Sequence, residues 1–126
     1  MKMALDDNSA RNLISAYRPG RVSIGERHFT TSVLVFPAGR PVDWAPRSAA
    51  DLCALHLDHV VARQCELLIL GTGDTQIFPD PAHFAALMAA GIGYEVMDNA
   101  AACRTYNILL AEERNAALGL IMDSMD

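Results

Sequence analysis

The sequence contains no recognisable catalytic signature. It has no GxSxG turn on which Ser-His-Asp hydrolysis could stand and no GxxxxGK[ST] loop for phosphoryl transfer. The three cysteines, Cys53, Cys65 and Cys103, are an odd set without CxxC spacing. That argues against a dithiol redox centre and fits reduced thiols in a cytoplasmic protein. No stretch approaches the roughly 18–20 apolar residues that a membrane-crossing helix needs. The opening MKMALDDNSARNL places acids where the apolar core of a secretory signal would stand, and its acidic start is wrong for a mitochondrial transit peptide. Arginines are scattered from Arg11 to Arg114 and the net charge is −5, so the sequence shows no basic stripe for nucleic acid. Repeats and low-complexity tracts are missing as well, and nothing in the pattern calls for a cofactor.

What is present is an ordinary globular composition, with 52% apolar and 20% charged residues in 126. A chain of this length makes one domain and buries roughly two-thirds of its unfolded surface. Residues 1–16 read as a polar, then amphipathic, N-terminal tail, leaving 17–126 as a single domain. Arg21–Ile24 and Arg27–Phe29 flank Gly25-Glu26, a hairpin turn with Gly at its first position. Thr31–Phe36 is β-branched and apolar, and Pro37-Ala38-Gly39 ends it; Val42–Trp44 is a short edge segment. Ser48 with Asp51 starts a capping-box-like helix that apolar spacing carries to about Arg63. Leu67–Leu70 is an all-apolar strand of the kind covered on both faces.

Asp80, Pro81 and Gly91 mark a second helix as N-cap, first helical position and left-handed stop. Ile92–Met97 is a strand, Asp98 or Asn99 caps a helix to about Glu113, and Ala116–Met122 is a final strand. Strand-helix-strand alternation behind an antiparallel front half predicts an α/β domain with three layers. A mixed central sheet would carry helices packed on it, and an antiparallel portion would come from the N-terminal half.

Four segments in order, LLILGTG at 67–73, Pro79, GIGYEVMD at 91–98 and AACRTYNILLAEER at 101–114, resemble a family of small α/β domains. That family includes the mitochondrial respiratory complex I assembly factor 3 and the adipogenesis-associated domain proteins. Tyr17, SVLVFP at 32–37 and Trp44 agree more weakly. The family pattern has Thr after the Asp of the Met-Asp pair, where this chain has Asn99, and either side chain can cap a helix. The resemblance implies a three-layer fold on a mixed sheet and implies no reaction.

Three places could carry function. Gly71-Thr72-Gly73 ends a buried strand, where ligands collect in open α/β sheets and loop amides can hold an anion. Gln76 stands where a dinucleotide fingerprint needs its third glycine, and the next helix begins only at Asp80, so a tight packing turn is the competing use. Asp98 caps its helix or serves as a base beside that loop. On the helix, Cys103, Tyr106, Asn107 and Leu110 share a face and Arg104 lies beside Asn107. An Arg fork and a Tyr hydroxyl suit a carboxylate or phosphate, while Arg104 could instead pair with Glu112 or Glu66. His56 and His59 share a helix face but lack a third ligand by spacing, so no metal site is expected.

Two roles follow. The first is a non-enzymatic protein-interaction or assembly domain with Tyr17, Trp44, Phe78 and Phe84 as candidate anchors. A stable partner there would bury more than about 1,000 Å². The second is a small anionic-ligand site or enzyme between Gly71–Asp74 and Asp98–Asn107. The partner expected is a protein.

Overall fold

Alternation along the central strands decides the layering. In β6 (Leu67–Gly71), Leu68 and Leu70 join one buried cluster while Ile69 joins another on the opposite side. Side chains of period two on a sheet covered on both faces must divide in this way. The computed structural model describes residues 11–122. Its main sheet has five strands in the order β5-β4-β8-β6-β7. These are β4 (Val33–Val35), β5 (Val42–Asp43), β6, β7 (Gly93–Met97) and β8 (Ala116–Leu120). β6 runs parallel to β7 and β8, whereas β4 is antiparallel to β5 and β8, so the sheet is mixed as expected. A separate antiparallel sheet holds β1 (Ile14–Arg18), β2 (Arg21–Ile24) and β3 (Arg27–Phe29). The Gly25-Glu26 hairpin is present, with Gly25 at φ +61.

On one face of the main sheet lie short helical pieces, including α1 (Asp58–Ala62) and α2 (Ala85–Ala89). They supply Leu57, Val60, Phe84 and Leu87 to a cluster with Leu34, Leu68 and Leu70. On the other face α3 (Asn99–Ala111) is sandwiched, burying Ala102, Cys103, Tyr106 and Leu110 against Ile69, Leu118 and Leu120 and against Ile14, Val22 and Ile24 of the small sheet.

Two expectations need correction. Part of the 1–16 tail lies outside the described residues, but Ile14–Ala16 belong to β1. The Pro19-Gly20 pair between ISAYR and RVSI was the available hairpin signal, and a bulge between Ile14 and Ala16 blurs the alternation. The continuous helix from Ser48 to Arg63 is instead two 3-10 turns, Ala49–Asp51 and Ala54–Leu57, followed by α1. Ser48 does accept from the Asp51 N–H, but Leu52 and Cys53 are extended, and the Cys53 N–H donates to His56 Nδ1 at 3.0 Å. The Trp44 indole N–H donates to the His56 carbonyl at 2.8 Å, so a tertiary bond outweighs helical periodicity there.

The second helical segment has its expected start: Asp80 accepts from the Ala82 N–H and Pro81 follows, although its first turn is 3-10. Of the proposed anchors, Trp44 and Phe84 are core residues, 7% and 1% exposed, and Phe84 stacks on Tyr94 at 4.0 Å.

Candidate functional site

The carboxyl ends of β6 and β8 open into a cleft of about 460 Å³. Its walls come from Tyr17 near the end of β1 and Gly20 in the turn after it, the segment Arg47–Ala49, the loop Thr72–Thr75 with Ile77, and Ile121-Met122 beyond β8. Asn99, the first residue of α3, forms its base.

Asn99 is 1% exposed and joins three chain segments. Its Oδ1 accepts from the Gly73 N–H at 3.0 Å, and its Nδ2 donates to the Ile121 carbonyl at 3.0 Å and to the Tyr17 hydroxyl at 3.3 Å. The Asn99 N–H returns a bond to the Gly73 carbonyl at 2.8 Å. Gly71 has no side chain because a Cβ there would run into the Asn99 side chain and a Leu120 methyl. Asp98 is the cap, accepting from the Ala101 N–H at 2.9 Å. The capping choice between Asp98 and Asn99 thus resolves to Asp98, which frees Asn99 for a tertiary role.

The Gly71-Thr72-Gly73 amides are largely engaged within the protein. The Thr72 N–H donates to the Met97 carbonyl at 3.0 Å and the Gly73 N–H to Asn99. The Thr72 hydroxyl donates to the Thr75 carbonyl at 2.7 Å and accepts from the Ile77 N–H at 2.9 Å. An anion in the cleft would therefore rely on side chains, of which Arg47 is the charged donor and the Tyr17, Ser48 and Thr75 hydroxyls are neutral ones. Burial raises the Tyr17 pKa, against the lowering effect of the Asn99 hydrogen bond. The phenol stays protonated, and as an acceptor from Asn99 it keeps its own O–H to donate. Asp74 adds a carboxylate, so the cleft carries both signs of charge beside the apolar Ile77 and Met122. Among the described lining residues there is neither His nor Cys, so Ser48 and Thr75 have no imidazole beside them for activation.

The helix residues singled out from sequence lie elsewhere. Tyr106 is fully buried, and its hydroxyl donates to the Asn12 carbonyl at 2.9 Å. Burial pushes its pKa well above the usual phenol value, with nearby Arg11 opposing. Asn107 behaves like a strand neighbour, accepting from the Ile14 N–H and donating to the Ile14 carbonyl, both at 2.9 Å. Arg104 is exposed and lines a separate recess of about 220 Å³ with Ser15, Cys103 and Asn107. Glu66, suggested as its partner, pairs instead with Arg114 at 2.8 Å. The structure therefore joins Gly71, Thr72 and Gly73 to the start of α3, and separates them from Arg104, Tyr106 and Asn107. Tyr17 was expected only as a partner anchor, and Arg47 and Asn99 were not singled out; Tyr17 agrees with the family pattern, Asn99 departs from it, and Arg47 carried no signal.

The thiols are free, with Cys65 and Cys103 buried. Burial raises both pKa values, that of Cys103 to about 12. Alkylation of the native protein at mildly alkaline pH is expected at Cys53 alone, and at all three cysteines in urea. Intact mass reads the difference, and rapid native labelling of Cys103 would contradict its burial.

Residues 14–121 match the family described as protein of unknown function DUF498/DUF598. The chain belongs to that family. Its relatives include the NADH dehydrogenase [ubiquinone] 1 alpha subcomplex assembly factor 3 of Xenopus tropicalis, 38% identical over 56% of this chain and 39% of that protein. The protein of the same name from Danio rerio is 34% identical over 90% of this chain and 66% of its own length. A 13 kDa major membrane protein of Francisella tularensis is 35% identical over 52% of this chain and 54% of that one. The chain thus spans about two-fifths to two-thirds of these relatives. A Bordetella parapertussis crystal structure from the same fold superposes with a TM-score of 0.85 at 35% identity, covering 90% of this chain and 98% of that one. Family membership and this superposition bear out the resemblance and the three-layer mixed-sheet expectation. Among the described residues no helix is long and apolar enough to cross a membrane.

Proposed function

We propose that the chain is a non-enzymatic interaction or assembly domain that receives a segment of a protein partner at the cleft. The supporting observation is the cleft's rim: Ile77 lines it at 49% exposure, and the adjacent Phe78 is 69% exposed. Adjacent exposed apolar side chains beside a concave, mixed-charge surface suit an anchor-and-rim interface. The relatives named as assembly factors make a protein partner the natural occupant. Three free thiols suit a reducing compartment such as the cytoplasm.

The test is affinity capture from native lysate with the wild type and Phe78→Ser. Phe78 contributes little to the core, so the variant should melt like the wild type while recovery of the specific partner drops about tenfold or more, roughly 1.4 kcal/mol of binding. Equal recovery by both proteins, or no partner above background, would count against this role.

The second role, a small anionic ligand held by Arg47 and the Tyr17 hydroxyl, draws support from the cleft's volume, which lies in the range of about 300–1,000 Å³ typical of small-molecule sites.

A further inference from the structure

The outer face of the small sheet concentrates positive charge in a chain that is acidic overall. Strand register sets Ala16 opposite Ser23, Arg18 opposite Arg21, and Ser23 opposite His28. Residues directly opposite share a face, so these five lie together. Ile14, Val22 and Ile24 project from the other face into the core beside Tyr106. Arg18 and His28 are exposed, Arg21 is half-buried, and Ser23 is only 7% exposed. A recess of about 230 Å³ lies among Ala16, Tyr17, Arg18, Arg21 and Ser23. Beside it the Ser23 hydroxyl sits 2.7 Å from His28 Nδ1.

Like charges directly opposite on neighbouring strands destabilise a sheet. Among the described residues the salt bridge is Glu66–Arg114, and no carboxylate of these residues pairs with Arg18 or Arg21. Arg27, the remaining cation of the hairpin, pairs in register with Ile24 on the core side and lies over the Phe29 ring at 5.9 Å. A bound oxyanion would turn the Arg18–Arg21 repulsion into two charge-assisted contacts, and guanidinium forks match phosphate geometry. Ser23 lines the recess, and the state of His28 decides where its hydroxyl hydrogen points. A neutral ring accepts that hydrogen at Nδ1. A charged ring donates from Nδ1 to Ser23 Oγ and leaves the hydroxyl hydrogen for the ligand. Donors on two strands and a third behind them suit a tetrahedral group better than a planar carboxylate.

We propose that this recess binds a single phosphate group, with Arg18 and Arg21 as its two charged contacts and the Ser23–His28 pair as its polar floor. The recess shares Tyr17 with the cleft, but Arg18, Arg21 and Ser23 do not line the cleft, so the phosphate contacts are distinct from those proposed for the protein partner. A free phosphate compound and a phospholipid headgroup offer the same chemistry, so the experiment has two arms.

In the first arm, inorganic phosphate is titrated into the full chain at chloride-matched ionic strength and followed by amide NMR. Saturable shifts are expected at Arg18, Arg21, Ser23 and His28. Arg18→Ala and Arg21→Ala should each weaken binding at least about tenfold, while Arg40→Ala, at an exposed arginine elsewhere, should not. In the second arm the protein is sedimented with vesicles of phosphatidic acid in phosphatidylcholine. Sedimentation that inorganic phosphate competes away identifies the headgroup as a source; none, beside saturable phosphate binding, identifies a soluble one. The proposal is overturned if phosphate does not saturate, if Arg40→Ala weakens binding as much as Arg21→Ala, or if vesicle sedimentation is indifferent to phosphate. Both Arg variants should keep the wild-type amide spectrum away from β1 and β2, which separates a lost contact from a lost fold.

Discussion

Replacing Asn99 with Ala is expected to destabilise the protein by roughly 3–4 kcal/mol. The side chain satisfies the Gly73 N–H and the Ile121 carbonyl and donates to the Tyr17 hydroxyl. A buried polar group left without a partner costs about 1–3 kcal/mol, and water can reach part of the Tyr17 and Gly73 environment, so the sum falls short of three full penalties. Asp98→Ala provides the comparison. It removes only the bond to the Ala101 N–H, and loss of an N-cap costs about 1 kcal/mol. Urea denaturation of the two variants should therefore show a much larger fall in midpoint for Asn99→Ala, with the slope unchanged. Equal losses would mean that Asn99 is no more than part of the cap. Because Gly73 and Tyr17 both line the cleft, Asn99→Ala should also loosen the partner site, and restoring temperature or osmolyte would not repair it.

Gly119→Ala should have the next largest effect, a loss of about 2–3 kcal/mol. Gly119 lies in β8 between Leu34 and Leu70, with the Trp44 ring over it. A Cβ placed there would lie 2.7 Å and 2.8 Å from two ring carbons. In a strand with free space Ala is favoured over Gly by about 0.5–1 kcal/mol, so the sign of the change reports the clash. The indole is not free to swing aside, because its N–H is bonded to the His56 carbonyl. In a double-mutant cycle with Trp44→Leu, itself destabilising, the combined loss should be smaller than the sum by about 1–2 kcal/mol. Strict additivity of thermal or urea midpoints would show that Trp44 is not what Gly119 accommodates.

Much of the fold was legible because local chemistry and tertiary need agree there. β6 is apolar on both faces because it is covered on both, and Asp80, Pro81 and Asp98 sit at helical starts that they themselves stabilise. Where the two disagree, reading failed. Apolar spacing from Leu52 to Val61 is helical, yet the bonds from Trp44 to His56 and from Cys53 to His56 leave only 3-10 turns and a short helix. Ile14–Arg18 has weak strand propensity and a bulge, and is held by side chains more than 90 residues away in sequence: Asn107 holds Ile14, and Tyr106 holds the neighbouring Asn12. The loop at Gly71–Gly73 was legible as a strand-end feature. Its use was not, since Asn99, Tyr17 and Arg47 come from three other segments to line the cleft beside it.

The placement of β8 has a consequence for how the chain acquires its structure. Ala116–Leu120 is the last of the described strands to be synthesised, yet it occupies the middle of the main sheet, antiparallel to β4 on one side and parallel to β6 on the other. Until those five residues have been made, β4 paired with β5 and β6 paired with β7 have no common partner, and the edges that β4 and β6 turn toward β8 wait unpaired. The main sheet therefore cannot close before β8 has been made and depends on contacts distant in sequence, which makes folding slow relative to helical domains of the same size. During that interval the bare strand edges are open to pairing with other chains.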